Sequence, residues 1–359
     1  MGVCESSSNN FASMSTNDEY SSNKSKEIKQ EIFTFLKKND GFILSANLAK
    51  RDDINKYYKI THKILGKGAC GVVCIGEKDG TEYAIKRIKK DKIKLLKLFR
   101  LEAEISLQLR HENIITYYEV YEDSHYISYV MDLAEGGDLF SFISDCPLHH
   151  LPSDIVIELL IQILTVVDYL HSVKGIVHRD IKPQNFLIKI NKKNKPLIKL
   201  IDFGFATYIP KNNEKLKELL GTTEYAAPEI LQGTGYMEKV DEWSIGVMLF
   251  NMLTGLEPFL GETDSQIKDS VLYNNIQFNR IEDVDLRELC QKLMNRYVAK
   301  RITCKEALVE VKRIKVERDN YYKGYKRLNK KTPSEFLKKV KKEDLEYNHY
   351  LDGLIGKLN

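Results

Sequence analysis

The run His178-Arg-Asp-Ile-Lys-Pro-Gln-Asn185 places one carboxylate (Asp180), one ammonium (Lys182) and one side-chain amide (Asn185) within eight residues of loop. An aspartate there can accept a hydroxyl proton, a lysine can neutralise a transferring phosphoryl group, and an asparagine can ligate a metal through its amide oxygen. Asp202-Phe-Gly204 follows the apolar run Leu197-Ile-Lys-Leu-Ile201 and offers a hard oxygen ligand suited to Mg²⁺. Upstream, Gly66-Lys-Gly-Ala-Cys-Gly71-Val-Val73 is a GxGxxGxV run between two strand-like stretches. Glycines there let backbone N–H groups approach a polyphosphate without side chains in the way. A dinucleotide-binding turn needs a helix directly after the last glycine, and Val72-Val-Cys-Ile75 is a poor helix start, so the run reads as strand, glycine flap, strand. Tyr83-Ala-Ile-Lys86 then sets a lysine in an apolar strand, where an unpaired ammonium is costly. Phosphate oxygens from the flap side and a carboxylate from the next helix, Glu102, would satisfy it; taken alone, a lysine that snorkels to the surface is the favoured reading. Four such elements in this order point to phosphoryl transfer rather than coincidence.

The elements that must position them follow from periodicity. From Tyr57 to about Glu122 the chain reads mainly as strands (Tyr58–Ile60, Val72–Ile75, Glu82–Ile88), interrupted by one helix with Leu98, Leu101, Ile105 and Leu109 at near-helical spacing. After Glu135-Gly-Gly-Asp138 the period changes. Ile155 to His171 is an apolar helix with Leu159, Ile163, Val166, Val167 and Leu170 on its buried stripe. A strand-rich part joined to a helix-rich part is an α+β, two-lobed plan. The expected organisation is a disordered Ser/Asn-rich segment 1–26, a pre-domain segment 27–56 whose first part (27–37) suits a short amphipathic helix, a catalytic unit 57–316 with lobes at 57–131 and 136–316, and a basic tail 317–359 that reads as an appendage.

With 359 residues, 43% hydrophobic and 30% charged, the composition is that of a globular protein. No run approaches the ~18 apolar residues of a membrane-spanning helix. A net charge of +4 is too small to argue for a nucleic-acid partner. The six cysteines form no CxxC pair or zinc-finger spacing, so free thiols in a reducing cytosol are expected.

On these residues the chain resembles the protein kinase family from about Tyr58 to Val311, and the resemblance implies a bilobal fold that uses ATP and Mg²⁺. It implies that Leu65, Gly66, Lys67, Gly68, Ala69, Cys70, Gly71 and Val72 form the flap over the nucleotide. Val73, Ala84 and Leu187 would sandwich adenine. Lys86 would hold the α/β-phosphates, braced by Glu102 with Glu104 as the alternative. Met131 falls at the gatekeeper position, Asp132 and Ala134 would offer hinge backbone to adenine, and Asp138 would lie near the ribose. Asp180 would be the catalytic base, Lys182 the γ-phosphate contact, and Asn185 and Asp202 the metal ligands. Lys182 with Gly221-Thr222 resembles the serine/threonine branch, so protein Ser/Thr hydroxyls are the implied acceptors. Glu229 would pair with Arg301, and Asp241 would anchor the catalytic-loop backbone.

Gly41-Phe-Ile-Leu-Ser45, Gly136-Gly-Asp-Leu-Phe140 and Asp202-Phe-Gly-Phe-Ala206 are similar to the calcium- and calmodulin-dependent group, calcium-dependent protein kinases above all. No Asp-x-Asp-x-Asp-Gly loop occurs in these 359 residues, so EF-hands are not expected here. Three positions depart from the family pattern. Glu218 stands where many kinases carry a phosphorylatable Thr, and it is expected to pair with Arg179. Gln184 replaces the Glu that reads a basic substrate residue in Arg-directed kinases, which leaves Asp138 to read one. Ser106 replaces a bulky apolar residue four positions after Glu102.

At the N-terminus, Met1-Gly2-Val-Cys4-Glu-Ser6 fits myristoylation at Gly2, with Cys4 placed for palmitoylation, and implies a cytoplasmic protein peripheral at a membrane. At the other end, Thr332-Pro-Ser-Glu335 reads as a helix start ahead of Phe336, Leu337 and Val340 among Lys338, Lys339, Lys341 and Lys342. Such a basic amphipathic helix suits calmodulin, anionic lipid or its own catalytic unit, and a solvated charged tail is the plainer reading.

Overall fold

A computed structural model describes residues 34, 37–38, 41–67, 71–93, 95–191, 195–212, 214–328 and 335–358. The chain forms two compact units, one drawn from the chain up to Ala134 together with Asp202–Ala206, the other from Glu135–Ile201 and from Thr207 onward.

The first unit is an antiparallel sheet of β1 (Lys59–Lys67), β2 (Gly71–Lys78), β3 (Thr81–Lys89), β4 (Tyr117–Glu122) and β5 (Tyr126–Met131), ordered β1-β2-β3-β5-β4. β2 turns into β3 through Asp79-Gly80, both at positive φ (53° and 74°), the conformation a two-residue hairpin favours. The pairs Val73↔Lys86, Ile75↔Ala84, Ala84↔Met131 and Lys86↔Tyr129 put Val73, Ala84, Lys86, Tyr129 and Met131 on one face. The other face carries a core of Cys74, Ile85, Tyr121 and Val130, closed by Ile54 and Tyr58. Between β3 and β4 runs α1 (Leu96–Gln108), which buries Leu96, Phe99, Glu102, Ala103, Ile105 and Ser106. The inward face is therefore rotated from the expected one: Leu98 and Leu101 sit at its margin and Phe99 takes the central place, because α1 starts at Leu96 and Glu102 must face in.

Residues 41–58 belong to this unit. Ile43, Leu44, Ala49 and Ile54 are buried, and the backbone of Lys50 hydrogen-bonds β4 on both sides (Lys50 N–H to Val120 O, 2.8 Å; Glu122 N–H to Lys50 O, 2.9 Å). The fully buried Glu122 carboxylate accepts from the Ile43 and Leu44 N–H groups at 2.6 and 2.9 Å and pairs with Lys90 at 2.8 Å. Lys90 Nζ also donates to the Gly41 carbonyl at 2.9 Å.

The second unit is helical: α2 (Leu139–Ser144), α3 (Ser153–Asp168), α4 (Pro228–Gln232), α5 (Val240–Thr254), α6 (Asp264–Tyr273), α7 (Val284–Leu293), α8 (Cys304–Leu328) and α9 (Glu335–Leu358), with two small sheets, β6 (Ile176–Val177) beside β9 (Thr207–Tyr208) and β7 (Phe186–Ile190) beside β8 (Pro196–Leu200). α3 buries its predicted stripe and continues through a π-helical turn, Tyr169–Lys174, ended by Gly175 at φ 62°. Contrary to the expectation from composition, Ser153–Lys174 is long and apolar enough to cross a membrane. Its charged residues lie near its ends while Leu159, Leu160, Ile163, Leu164, Val166 and Val167 are buried in the protein core, packed on α5, α8 and β8, so it is a core helix.

α5 is buried around its whole circumference, and its two acidic residues are each held by specific partners. Asp241 meets His171 Nε2 at 2.8 Å, and Glu242 meets His171 Nδ1 at 3.5 Å and accepts from the Cys304 N–H at 2.9 Å. Burial works against the His171 imidazolium, but these two carboxylates outweigh it and raise its pKa to about 10. Arg301 makes a bidentate pair with Glu229 (2.6 and 3.0 Å), as the sequence led us to expect.

The tail departs from the appendage expected. α8 runs unbroken past residue 316, held by Lys315 on Glu158 (3.3 Å) and by Arg318 on Asp154 and Asp283. α9 buries Tyr347 and Leu351, packs Tyr347 and Tyr350 against the Phe142 ring, and donates from the Tyr350 hydroxyl to the Phe142 carbonyl at 3.2 Å. Its apolar stripe lies at 347–351, beyond the 336–340 cluster from which the sequence reading began. The predicted helix start at 332–334 and the segments 1–26 and 27–33 lie outside the described residues.

Two outcomes test this packing. Glu229→Gln, which leaves the Arg301 guanidinium buried and half-paired, destabilises the protein by about 3–5 kcal/mol in chemical denaturation. Because His171 has a folded pKa above its unfolded value, its contribution is complete below pH 6.5 and is lost as pH rises through about 10. The thermal midpoint of the native protein therefore falls over that range by more than that of His171→Gln.

Candidate active site

In the first unit, Lys86 Nζ contacts Glu102 Oε1 at 3.0 Å. Strand β3 supplies the lysine and the inward face of α1 the glutamate, while Glu104 is exposed, which decides between the two carboxylates left open by the sequence. Burial opposes the Lys86 charge, but Glu102 and the carboxylate of Asp202, which belongs to the same unit, more than compensate and hold the pKa well above the ordinary lysine value. Burial pushes the Glu102 carboxyl up, Lys86 pulls it back and Asp202 adds to the rise. Asp202 is held at φ 62°, a left-handed conformation unusual for a residue with a side chain, and its Oδ1 accepts the Gly204 N–H at 3.1 Å.

Two residues of this cluster escaped the sequence reading. Tyr117 and Tyr129 are buried beside the Lys86–Glu102 pair, their rings edge-on with centroids 5.9 Å apart. Burial raises both phenols, with the Glu102 carboxylate adding to the rise and Lys86 opposing it. Tyr117 also lies against Ser106, so an aromatic ring on β4 occupies the space that a larger residue at 106 would take. Strand alternation could have flagged both tyrosines, but only with the β3–β5–β4 register in hand.

Of the expected nucleotide-contacting residues, Val73, Ala84 and Met131 share the sheet face of Lys86. Leu65, Gly66, Lys67, Gly71 and Val72 lie in the paired arms of the β1–β2 hairpin, with Gly66↔Val73 and Lys67↔Val72 as partners; Gly68, Ala69 and Cys70 lie outside the described residues. A Cβ at Gly71 would collide with the Arg87 carbonyl, so only glycine lets β2 approach β3 there. The Asp132 N–H is already given to Thr116 O at 3.0 Å, which leaves the carbonyl as the backbone group Asp132 can offer; Ala134 is partly exposed. In the second unit, Asp138 caps α2 by accepting from the Ser141 N–H (2.8 Å) and forms a bridge with Leu187.

The second unit gathers the other expected residues. Asp180 Oδ2 lies 3.0 Å from both Lys182 Nζ and Asn185 Nδ2, and its Oδ1 accepts from Thr222 Oγ1 at 2.9 Å. Lys182 Nζ in turn donates to Thr222 Oγ1 at 2.7 Å. Asn185 also donates to the Asp180 carbonyl (2.7 Å), so its Nδ2 faces Asp180 and its amide oxygen is left for a cation. The loop is pinned from below, because the His178 and Arg179 N–H groups donate to the two oxygens of the buried Asp241 at 2.8 and 2.9 Å. Arg179 is held at φ 69°. Its guanidinium donates to Glu218 Oε2 and the Tyr236 hydroxyl, both at 3.2 Å, and Tyr236 donates to the Glu218 carbonyl at 2.8 Å. The Arg179–Glu218 pair expected from the sequence is present; burial works against the Glu218 carboxylate, but nearby N–H groups and Arg179 lower its pKa. At Gly221 (φ 103°) a Cβ would stand 2.6 Å from the Arg179 carbonyl, so this glycine lets the Thr222 segment reach Asp180.

A sheet-plus-helix unit with a buried Lys–Glu pair, and a helical unit with an Asp–Lys–Asn loop, match known proteins. The chain matches the protein kinase domain family over residues 58–311. It is 36% identical over 319 residues to calcium-dependent protein kinase 4 of Plasmodium berghei (strain Anka), covering 84% of this chain and 57% of the relative. To calcium-dependent protein kinase 4 of Plasmodium falciparum (isolate 3D7) it is 37% identical over 300 residues, 79% of this chain and 54% of the relative. Calcium-dependent protein kinase 3 of Plasmodium yoelii yoelii is 34% identical over 291 residues, 79% and 52%. The chain belongs to the protein kinase family, in its serine/threonine division, and resembles the catalytic domains of calcium-dependent protein kinases. It spans about half the length of the curated relatives it matches. The family uses ATP and Mg²⁺, and the oxygen-rich donors Asp202 and Asn185 and the charged Lys86 suit both.

Removing the carboxylate that holds Lys86 in place is expected to weaken nucleotide binding: Glu102→Gln raises the dissociation constant of Mg·ATP about tenfold by calorimetric titration, in line with the loss of one charge-assisted hydrogen bond.

Proposed function

We propose that this chain transfers the γ-phosphoryl group of ATP to Ser/Thr hydroxyls of protein substrates. The observation that carries this reading is the Asp180 carboxylate, fixed by Asn185, Lys182 and Thr222 on a loop anchored to α5. When bound, Mg·ATP supplies the phosphoryl group and neutralises its charge. Asp180, oriented by Asn185, Lys182 and Thr222, accepts the proton of the attacking hydroxyl. Lys182 bridges Asp180 and Thr222 and presents its ammonium to the transferring group. Lys86, kept charged by Glu102 and Asp202, would take the phosphate oxygens, and Asn185 and Asp202 would each offer an oxygen ligand to the metal. Catalysis on this reading is positioning plus electrostatics.

Four finer features are added to this reading. Glu218 gives Arg179 a standing anionic partner, which favours activity without phosphorylation of that segment. Its side chain is 60% exposed, so the pair is worth no more than about 1 kcal/mol. Since these 359 residues hold no Asp-x-Asp-x-Asp-Gly loop, the chain by itself is calcium-independent. Gly2 and Cys4 suit myristoyl and palmitoyl groups, which would place the protein at a cytoplasmic membrane surface. The basic segment around Lys338–Lys342 is a candidate for calmodulin or acidic lipid.

The test is phosphate transfer from Mg·ATP to a basic protein by the unphosphorylated chain, with and without calcium and calmodulin. Transfer that Asp180→Ala lowers at least about a thousandfold and that calcium does not change is expected. Glu218→Gln lowers it no more than about fivefold, as a part-exposed pair predicts. Equal rates in the native protein and Asp180→Ala would overturn the assignment of the base.

A further inference from the structure

Three chemically distinct donors from distant parts of the chain meet inside the second unit. The π-helical turn after α3 brings His171, the first turn of α5 brings Glu242, and the first residue of α8 brings Cys304. A ring nitrogen, a carboxylate oxygen and the thiol sulfur all lie within 4.8 Å of one another. Glu242 and Cys304 are each 1% exposed, and the His171 side chain 8%. Glu242 Oε1 accepts from the Cys304 N–H at 2.9 Å, but Oε2, shut off from water, meets no donor among the described residues. A carboxylate oxygen buried in this way is costly unless a donor or a cation reaches it. The imidazole is oriented on both sides: Nε2 faces Asp241 at 2.8 Å and Nδ1 faces Glu242 at 3.5 Å.

We propose that His171 Nδ1, the Glu242 carboxylate and the Cys304 thiolate form a binding site for Zn²⁺. One nitrogen, one oxygen and one sulfur donor make a set that suits this borderline-soft ion, with water in the fourth place. Asp241 supplies the outer partner that metal-bound histidines usually have: it takes the Nε2–H, fixes the tautomer and leaves the Nδ1 lone pair for the ion. Donors around a tetrahedral zinc stand ~3.3–3.8 Å apart, given bonds of ~2.0–2.3 Å, so a side-chain shift of ~1 Å closes the trio. Burial, with the Glu242 and Asp241 carboxylates adding to it, pushes the Cys304 thiol well above its ordinary value, and an incoming dication reverses that field. On binding, the thiol and the imidazolium each release a proton as the dication enters, so the net charge of the buried cluster does not change. The ion ties the end of α3 and the start of α8 to α5 beside Asp241, which anchors the catalytic loop. The site is separate from the phosphoryl-transfer residues and stands whether or not that reading does.

The experiment uses the full chain, stripped with a chelator and then given Zn²⁺, with excess Mg²⁺ present to occupy the oxygen donors Asn185 and Asp202. About one zinc per chain is expected to survive gel filtration, and the thermal midpoint is expected to rise by several degrees. Cys304→Ser and Glu242→Gln each weaken zinc binding at least about a hundredfold in competition with a chelating dye, because losing an outer partner alone costs ~10–100-fold. In both variants the zinc-dependent rise in midpoint disappears. X-ray absorption of the zinc-loaded native protein, which does not depend on any variant folding, shows one sulfur neighbour at ~2.3 Å and the rest nitrogen or oxygen at ~2.0–2.2 Å. No zinc retained, a shell with no sulfur or with more than one, or affinity unchanged in Cys304→Ser overturns the site.

Discussion

A single buried carboxylate, Asp241, sets the geometry of the second unit. Its oxygens take the N–H groups of His178 and Arg179 and the imidazole of His171, so one side chain on α5 joins the catalytic loop to the end of α3. An ionised aspartate inside a protein is stable only if its lone pairs are used. Here they are used by groups whose placement matters for chemistry. The left-handed turn at Arg179 follows, because both N–H groups must point at one carboxylate while the next residue turns Asp180 the other way. Burial raises the Asp241 carboxyl, but His171 and the His178 N–H overcome that and lower it.

The same logic organises the first unit on a smaller scale. Lys86 sits in a strand because the strand's partners fix it, and it remains charged because Glu102 and Asp202 surround it. The glycines act by absence of bulk rather than flexibility: Gly71 admits the Arg87 carbonyl, and Gly221 admits the Arg179 carbonyl.

Much of this was legible in the sequence. Lys86, Asp180, Lys182 and Asn185 stand out by residue type and spacing, Glu102 shares that place with Glu104 until the fold is known, and the pairs Arg301–Glu229 and Arg179–Glu218 follow from the family resemblance. What could not be read was whatever depends on register or on distant chain. The face of α1 was misjudged by one position because Leu98 and Leu101 mimic a buried stripe as well as Leu96 and Phe99 do. Tyr117 and Tyr129 became part of the Lys86 neighbourhood only through β-sheet register. Lysines dominate the composition of the tail and make it read as an appendage, although Tyr347 and Tyr350 seat α9 on Phe142. Charge patterning describes what a helix shows to water and says little about a narrow apolar stripe.

The segment ahead of β1 carries a consequence for how the sheet is protected. β4 is the last strand in the sheet order, and such an edge normally offers unpaired N–H and C=O groups to any passing strand. Lys50 occupies that edge from the chain's own N-terminal side, while Glu122 and Lys90, both buried, hold residues 41–44 in place. The segment is therefore a shield as well as a leader. A cleavage between 41 and 50 would at once bare a β-edge and take from the buried Lys90–Glu122 pair the backbone groups that complete it, so loss of this short stretch leaves the sheet prone to strand-to-strand association.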